Sequence, residues 1–66
     1  MRVSANGDSV EIDDGATVAV LLEVLGLSGR WVIVEHNGAP VPRADHQATR
    51  LSDGDRLELV RAVAGG

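Results

Sequence analysis

The sequence contains no cysteine, so no disulfide can brace the fold and no thiol can act as a nucleophile or metal ligand. This composition is typical of a reducing compartment. No apolar run approaches the roughly 20 residues that a membrane-spanning helix requires, and the first residues lack the pattern of a signal peptide. We therefore expect a soluble, cytoplasmic protein that does not engage a membrane.

Lysine is also absent, because all six basic residues are arginine, and Trp31 is the sole aromatic residue. Without lysine, no side chain can receive an isopeptide bond. The arginines are scattered and the net charge is −4, which argues against nucleic-acid binding, since that requires a basic groove and aromatic stacking surfaces. An acidic chain of this kind is better suited to a basic surface on a partner protein.

A length of 66 residues predicts one domain with a thin core and a stability on the order of 3–5 kcal/mol. Such a chain has little room for a buried active site, and we expect no enzyme. His36 and His46 lack neighbouring metal ligands, so we expect each to be solvated or singly hydrogen-bonded, with no metal site. The acidic pairs at 13–14 and 53/55 are typical of turns.

The first half of the chain predicts a hairpin followed by a helix. Residues 2–5 and 9–12 read as strands around Asn6-Gly7, the usual sequence of a two-residue type I′ turn. Thr17 is placed as the N-cap of a helix over 18–25, whose apolar positions fall on one face. Gly26 suits the left-handed position that ends a helix.

The second half predicts strands with few helical signals. Residues 31–37 form an apolar, β-branched run in which Trp31 is expected to be partly buried. Two prolines limit residues 39–49 to loop and a short edge strand. A turn over 51–55 then leads to a last strand over 56–63.

This order of elements predicts an α+β protein with the β-grasp, or ubiquitin-like, fold: a small mixed sheet of four to five strands crossed by one helix. The first and last strands should lie side by side and parallel in the centre of the sheet. We assign residues 1–64 to this domain and 65–66 to a flexible C-terminal diglycine tail.

The two closing glycines are the strongest functional feature. Gly65 and Gly66 have no side chains, so they can lie in a channel too narrow for other residues, and they leave the carboxylate of Gly66 unhindered. We expect Gly66 to be the site of covalent chemistry and both glycines to thread into a partner's active site. The alternative is an idle, disordered terminus.

A docking surface is expected beside this tail. If Leu57 and Leu59 face the core, strand alternation places Val60 on the opposite face, together with Ile33 of the neighbouring strand. Exposed apolar residues that cluster are typical of a binding surface. The residues that we expect to contact a partner are Ile33, Val60, Ala62, Val63 and Ala64.

The chain resembles the ThiS family, the sulfur carrier proteins of thiamine thiazole biosynthesis. The resemblance spans the full length and rests on the order and spacing of short segments that are individually weak. They are Asn6-Gly7, residues 17–18, 21–22, 25–27, 34–38, 41–43 and 51–55, and the ending 60–66.

The resemblance implies a carrier that holds no cofactor and is monomeric when free. A ThiF-like adenylating enzyme would activate the Gly66 carboxylate with ATP, and a sulfur donor such as a cysteine desulfurase system would convert it to a thiocarboxylate. A ThiG-like thiazole synthase would then take the sulfur.

Three alternatives share much of this pattern. The chain could carry sulfur for another pathway, namely molybdopterin, cysteine or tRNA thiolation. It could be a ubiquitin-like modifier joined through Gly66 to lysines of other proteins. It could also be a plain interaction module that binds through its sheet face.

Overall fold

The computed structural model describes residues 1–28 and 31–61. Within them, one helix crosses a five-stranded mixed sheet with the strand order β2-β1-β5-β3-β4. The expected β-grasp fold is confirmed. The elements are β1 (Arg2–Ala5), β2 (Asp8–Glu11), α1 (Val18–Val24), β3 (Val32–His36), β4 (Ala39–Val41), a 3₁₀ turn (Arg43–Asp45) and β5 (Arg56–Arg61).

The opening hairpin follows from its turn residues. Asn6 and Gly7 have φ angles of 51° and 85°, so both take the positive φ that a type I′ turn requires. Ala5 then pairs with Asp8, which starts the return strand one residue earlier than the sequence pattern predicted.

Helix α1 begins and ends as its local signals predict. The Thr17 hydroxyl oxygen accepts a hydrogen bond from the Val20 amide at 3.3 Å. At the other end, Gly26 has a φ of 73°, and the Leu27 amide donates to the Leu22 carbonyl at 2.7 Å, which is a Schellman ending. This ending makes Leu25 the C-cap and leaves it 36% exposed, so the helix ends one residue earlier than the predicted range of 18–25.

The core lies between α1 and one face of the sheet. Strand alternation sends every second side chain of β3 and β5 into it. The most deeply buried side chains are Val3, Val18, Leu21, Val34 and Leu57.

Strand β5 occupies the centre of the sheet. It pairs in parallel with β1 and antiparallel with all five residues of β3. The side chain of Asn6 extends the contact on the β1 side: its Nδ2 donates to the Leu59 carbonyl at 2.9 Å, and its Oδ1 accepts from the Leu59 amide at 2.8 Å. The predicted central, parallel arrangement of the first and last strands is confirmed.

A polar cluster holds the start of β5. His36 Nε2 lies 2.6 Å from Asp55 Oδ2, which also accepts from the Ser52 amide at 2.8 Å. Asn37 Nδ2 donates to Asp55 Oδ1 at 3.1 Å, and Asn37 Oδ1 accepts from the Arg56 amide at 2.8 Å. Sequence reasoning missed this cluster, because it treated His36 and Asp55 as unrelated residues of two turns.

The cluster favours the ionised form of Asp55. Burial of the carboxyl is the largest effect and acts to raise its pKa. The hydrogen bonds from His36, the Ser52 amide and Asn37, together with the charge of His36, outweigh burial and hold the pKa of Asp55 below its ordinary value.

The other histidine, His46, differs from expectation. It was expected to be solvated or singly hydrogen-bonded, yet its side chain is buried, and its Nε2 has no hydrogen-bond partner among residues 1–28 and 31–61. The chain turns inward after the 3₁₀ turn, because the His46 carbonyl accepts from the Ala19 amide of α1 at 3.0 Å.

No helix in the ranges 1–28 and 31–61 has the length and apolarity needed to cross a bilayer. Helix α1 has seven residues.

Acid should weaken the fold through Asp55. A carboxyl whose folded pKa is lowered contributes stability that is present above its unfolded pKa of about 4 and is lost as pH falls through the folded value. We expect Asp55→Asn to lower the urea midpoint at pH 7, with the difference from the wild type shrinking below pH 4. Asp8→Asn, which is exposed on β2, serves as the control and should leave the midpoint at pH 7 unchanged. A constant difference at all pH values would contradict the assignment to ionised Asp55.

Candidate functional site

The candidate site lies at the carboxyl end of β5. The last described residue, Arg61, pairs with Val32, the first residue of β3. The carboxyl end of β5 and the amino end of β3 therefore lie at the same end of the sheet, which we call its tail end. The predicted contact residues Ala62, Val63 and Ala64 and the predicted tail, Gly65 and Gly66, lie outside the described residues. The strand therefore ends its described course five positions before Gly66.

Ile33 and Val60 form an apolar pair next to this end of the sheet. They are directly opposite each other on β3 and β5 and are 59% and 58% exposed. Both point away from α1, because their sequence neighbours Val32, Val34 and Leu59 are buried in the core. Strand alternation predicted this placement, whereas the role of the pair in partner binding stays a prediction.

A pair of glutamates forms the next row on the same face. Glu35 and Glu58 are directly opposite each other, one step further from the tail than the apolar pair, and both are exposed. The sequence reasoning did not identify this pair, because the pairing depends on the register between two strands that are far apart in the sequence, β3 (Val32–His36) and β5 (Arg56–Arg61). Strand alternation places both glutamates on the outer face, and the register between β3 and β5 is also needed to place them opposite each other.

Trp31 lies immediately before β3 at the tail end of the sheet. It was expected to be partly buried, but it is 68% exposed, so that prediction was wrong. The Arg43 guanidinium carbon lies 4.3 Å from the centre of its ring, within the range of a cation–π contact. The side chain of Arg43, in the 3₁₀ turn, thus packs on the indole ring, which does not pack into the core.

The described residues do not form a catalytic pocket. An open groove of about 580 Å³ lies between α1 and the 3₁₀ turn, and Glu23, Arg43 and His46 are among the residues that line it. No hydrogen bond joins Glu23 to His46 within the described part of the chain, so the groove lacks the coupled acid–base pair of a hydrolytic site. In the same ranges, no group of three or more metal-ligating side chains is assembled.

The candidate site therefore consists of the end of the sheet where the described part of β5 stops and of the outer face next to it. That face exposes an apolar pair and an acidic pair in neighbouring rows. Such a surface is suited to binding another protein.

Comparison with known proteins agrees with this geometry. A solved crystal structure of the thiamine biosynthesis protein ThiS from Geobacter metallireducens superposes with a TM-score of 0.82 and 32% sequence identity over 100% of both chains. The solution structure of a thiamine biosynthesis protein from the same organism gives a TM-score of 0.79 with 32% identity, over 100% of this chain and 88% of that one.

A curated relative is much longer. The whole of this chain is 36% identical over 66 residues to part of a thiazole synthase of Paramagnetospirillum magneticum. The chain spans 20% of the length of that relative.

The family assignment comes from the sequence profile of the ThiS family, which matches residues 3–66. This match covers nearly all of the chain, and the solved structures agree with it in fold. The chain therefore belongs to the ThiS family, whose members are small sulfur carrier proteins and not enzymes.

Proposed function

We propose that this chain carries sulfur as a thiocarboxylate on Gly66 and delivers it to the thiazole ring of thiamine. The observation that carries the proposal is the family match, which extends through residue 66 and so includes both glycines. The apolar pair at the tail end of the sheet supports it, because a carrier must be recognised next to the group that it carries.

The reaction requires activation of the Gly66 carboxylate, which is a poor electrophile because resonance and negative charge repel nucleophiles. One carboxylate oxygen attacks the α-phosphorus of ATP, pyrophosphate leaves, and an acyl-adenylate forms. A persulfide sulfur then attacks the carbonyl carbon and AMP leaves. Cleavage of the S–S bond by a thiol frees the thiocarboxylate and leaves a disulfide between that thiol and the donor sulfur. Because the chain contains no cysteine, another molecule supplies this thiol.

The chain's own contribution is reach. Five residues follow Arg61, and in extended form they span at most about 18 Å. That length brings the last carbonyl carbon into a recessed active site while the sheet stays outside it. Gly65 and Gly66 suit the narrow part of such a channel, since they carry no Cβ.

Three partners follow from this chemistry. A ThiF-like adenylating enzyme supplies the ATP and Mg²⁺ sites, a sulfur donor such as a cysteine desulfurase system supplies the persulfide, and a ThiG-like thiazole synthase receives the sulfur. The third is supported by the relative named thiazole synthase, in which a segment similar to this whole chain is part of the same polypeptide.

We further propose that Ile33 and Val60 dock on these partners, together with Ala62, Val63 and Ala64. The pair is exposed, contiguous across two hydrogen-bonded strands and next to Arg61, the last described residue of β5. The carriers for molybdopterin, cysteine or tRNA thiolation and the ubiquitin-like modifiers use a similar tail. The thiamine and thiazole names of the relatives favour the thiazole pathway.

Thiocarboxylate formation can be tested by intact mass spectrometry. After incubation with the adenylating enzyme, ATP and a sulfur source, we expect one oxygen to be replaced by sulfur at Gly66. A variant that lacks Gly66 should give no thiocarboxylate and an unchanged circular dichroism spectrum, because none of the described core contacts is removed. Formation of a thiocarboxylate on the truncated variant would contradict the proposal. Adducts of the full-length chain with lysines of other proteins, formed instead of the thiocarboxylate, would also contradict it.

The docking role of the apolar pair can be tested by affinity. We expect Ile33→Ala and Val60→Ala each to weaken binding to the adenylating enzyme roughly tenfold, the effect typical of a central apolar contact. Val24→Ala is a matched control, since Val24 is 56% exposed but lies on α1. Calorimetric titration gives the affinities, and equal losses in all three variants would show that the sheet face is not the docking surface.

A further inference from the structure

Glu35 and Glu58 form an arrangement that is unfavourable in the free protein. They are directly opposite each other on the two central strands, where side chains on one face have Cβ atoms about 4.5–5.5 Å apart. Like charges in this position destabilise a sheet. Among the described residues, neither carboxylate has an ion-pair or hydrogen-bond partner.

The same sheet contains a compensated pair in an equivalent position. Arg2 of β1 is directly opposite Glu11 of β2, and its Nη2 lies 2.6 Å from Glu11 Oε1. The fold therefore accommodates opposite charges across strands on its outer face. Within the described residues, Glu35 and Glu58 have no such opposite charge, and they lie in the row next to the apolar pair.

We propose that Glu35 and Glu58 are the electrostatic half of a docking site for the adenylating enzyme, and that they bind an arginine or lysine next to the enzyme's apolar contact for Ile33 and Val60. The inference rests on the proposed function and adds the partner's chemistry and its register. The shared basic group relieves the repulsion that the free carrier tolerates.

Charge complementarity favours this occupant. An enzyme that holds ATP and brings a carboxylate to its α-phosphorus has basic groups around its active site, because both reactants are anionic. The carrier has a net charge of −4, and its acidic row lies one step behind the apolar row. Attraction between these surfaces speeds encounter and orients the carrier before the tail enters.

The order of the rows also fixes a distance. Along β5, Glu58 and Val60 follow one another, and alternate residues of a strand are about 7 Å apart. An enzyme that binds the acidic row and the apolar row therefore holds β5 in one register and direction up to Arg61, its last described residue. If the enzyme's basic group were shifted by one row along β5, it could not contact Glu35 and Glu58 while the enzyme's apolar contact stayed on Ile33 and Val60.

The test is the double variant Glu35→Gln/Glu58→Gln, examined both alone and with the adenylating enzyme. Alone, it should melt about 2–5 °C above the wild type, because removal of a cross-strand repulsion stabilises a domain of this size. With the enzyme, its Kd should rise about tenfold at low salt and approach the wild-type value at 0.5 M salt.

A matched control separates position from net charge. Asp8→Asn/Glu23→Gln removes the same two charges at exposed positions on β2 and α1. We expect its affinity for the enzyme to stay within twofold of the wild type. An equal loss of affinity in the control would show that net charge alone is responsible and would overturn the proposal.

The outcome is distinguishable from failure of the proposed function. The double variant keeps its tail, so at saturating enzyme it should still be converted to the thiocarboxylate. If the wild type is converted but the double variant binds equally tightly, or does not gain thermal stability, the inference fails alone. If only binding to thiazole synthase is weakened, the assigned occupant is wrong. If the wild type itself is not converted, the proposed function fails.

Discussion

The position of β5 is the constraint on which the rest of the structure depends. It is hydrogen-bonded on both sides, to β1 and to β3, and side chains of the turn residues Asn6 and Asn37 bond to its backbone. A strand held in this way cannot shift its register without breaking contacts with both neighbours. Its direction at Arg61, and with it the point from which the last five residues start, is therefore fixed by the whole fold.

This constraint gives the sheet a buried face and an exposed face. The face toward α1 buries Leu57 and Leu59 and supplies the stability of a small domain. The outer face keeps Ile33 and Val60 exposed, although burying them would have stabilised the chain. A protein that performs no chemistry itself can use that surface for recognition, and a sulfur carrier needs little beyond recognition, reach and a reactive end.

Much of the fold was predictable because local rules decide it. Asn6-Gly7 favours a type I′ turn, which requires positive φ angles, and Thr17 and Gly26 mark the two ends of the helix. Strand alternation places Ile33 and Val60 on the same face. Contacts between distant residues were not predictable in this way. The bond between His36 and Asp55, the burial of His46 and the stacking of Arg43 on Trp31 depend on how separate segments meet. The glutamate pair likewise depends on register, which composition and periodicity do not specify.

In the proposed function the carrier is a substrate whose last carboxylate is adenylated, and exchange of labelled pyrophosphate into ATP measures that step directly. Adenylation is reversible, so the adenylating enzyme should transfer label from pyrophosphate into ATP. The rate of this exchange should rise with the concentration of the carrier and saturate when the enzyme's binding site for the carrier is filled. We predict carrier-dependent, saturable exchange in the absence of any sulfur source. Exchange that is independent of the carrier, or none at all with an enzyme shown to bind ATP, would contradict the central claim.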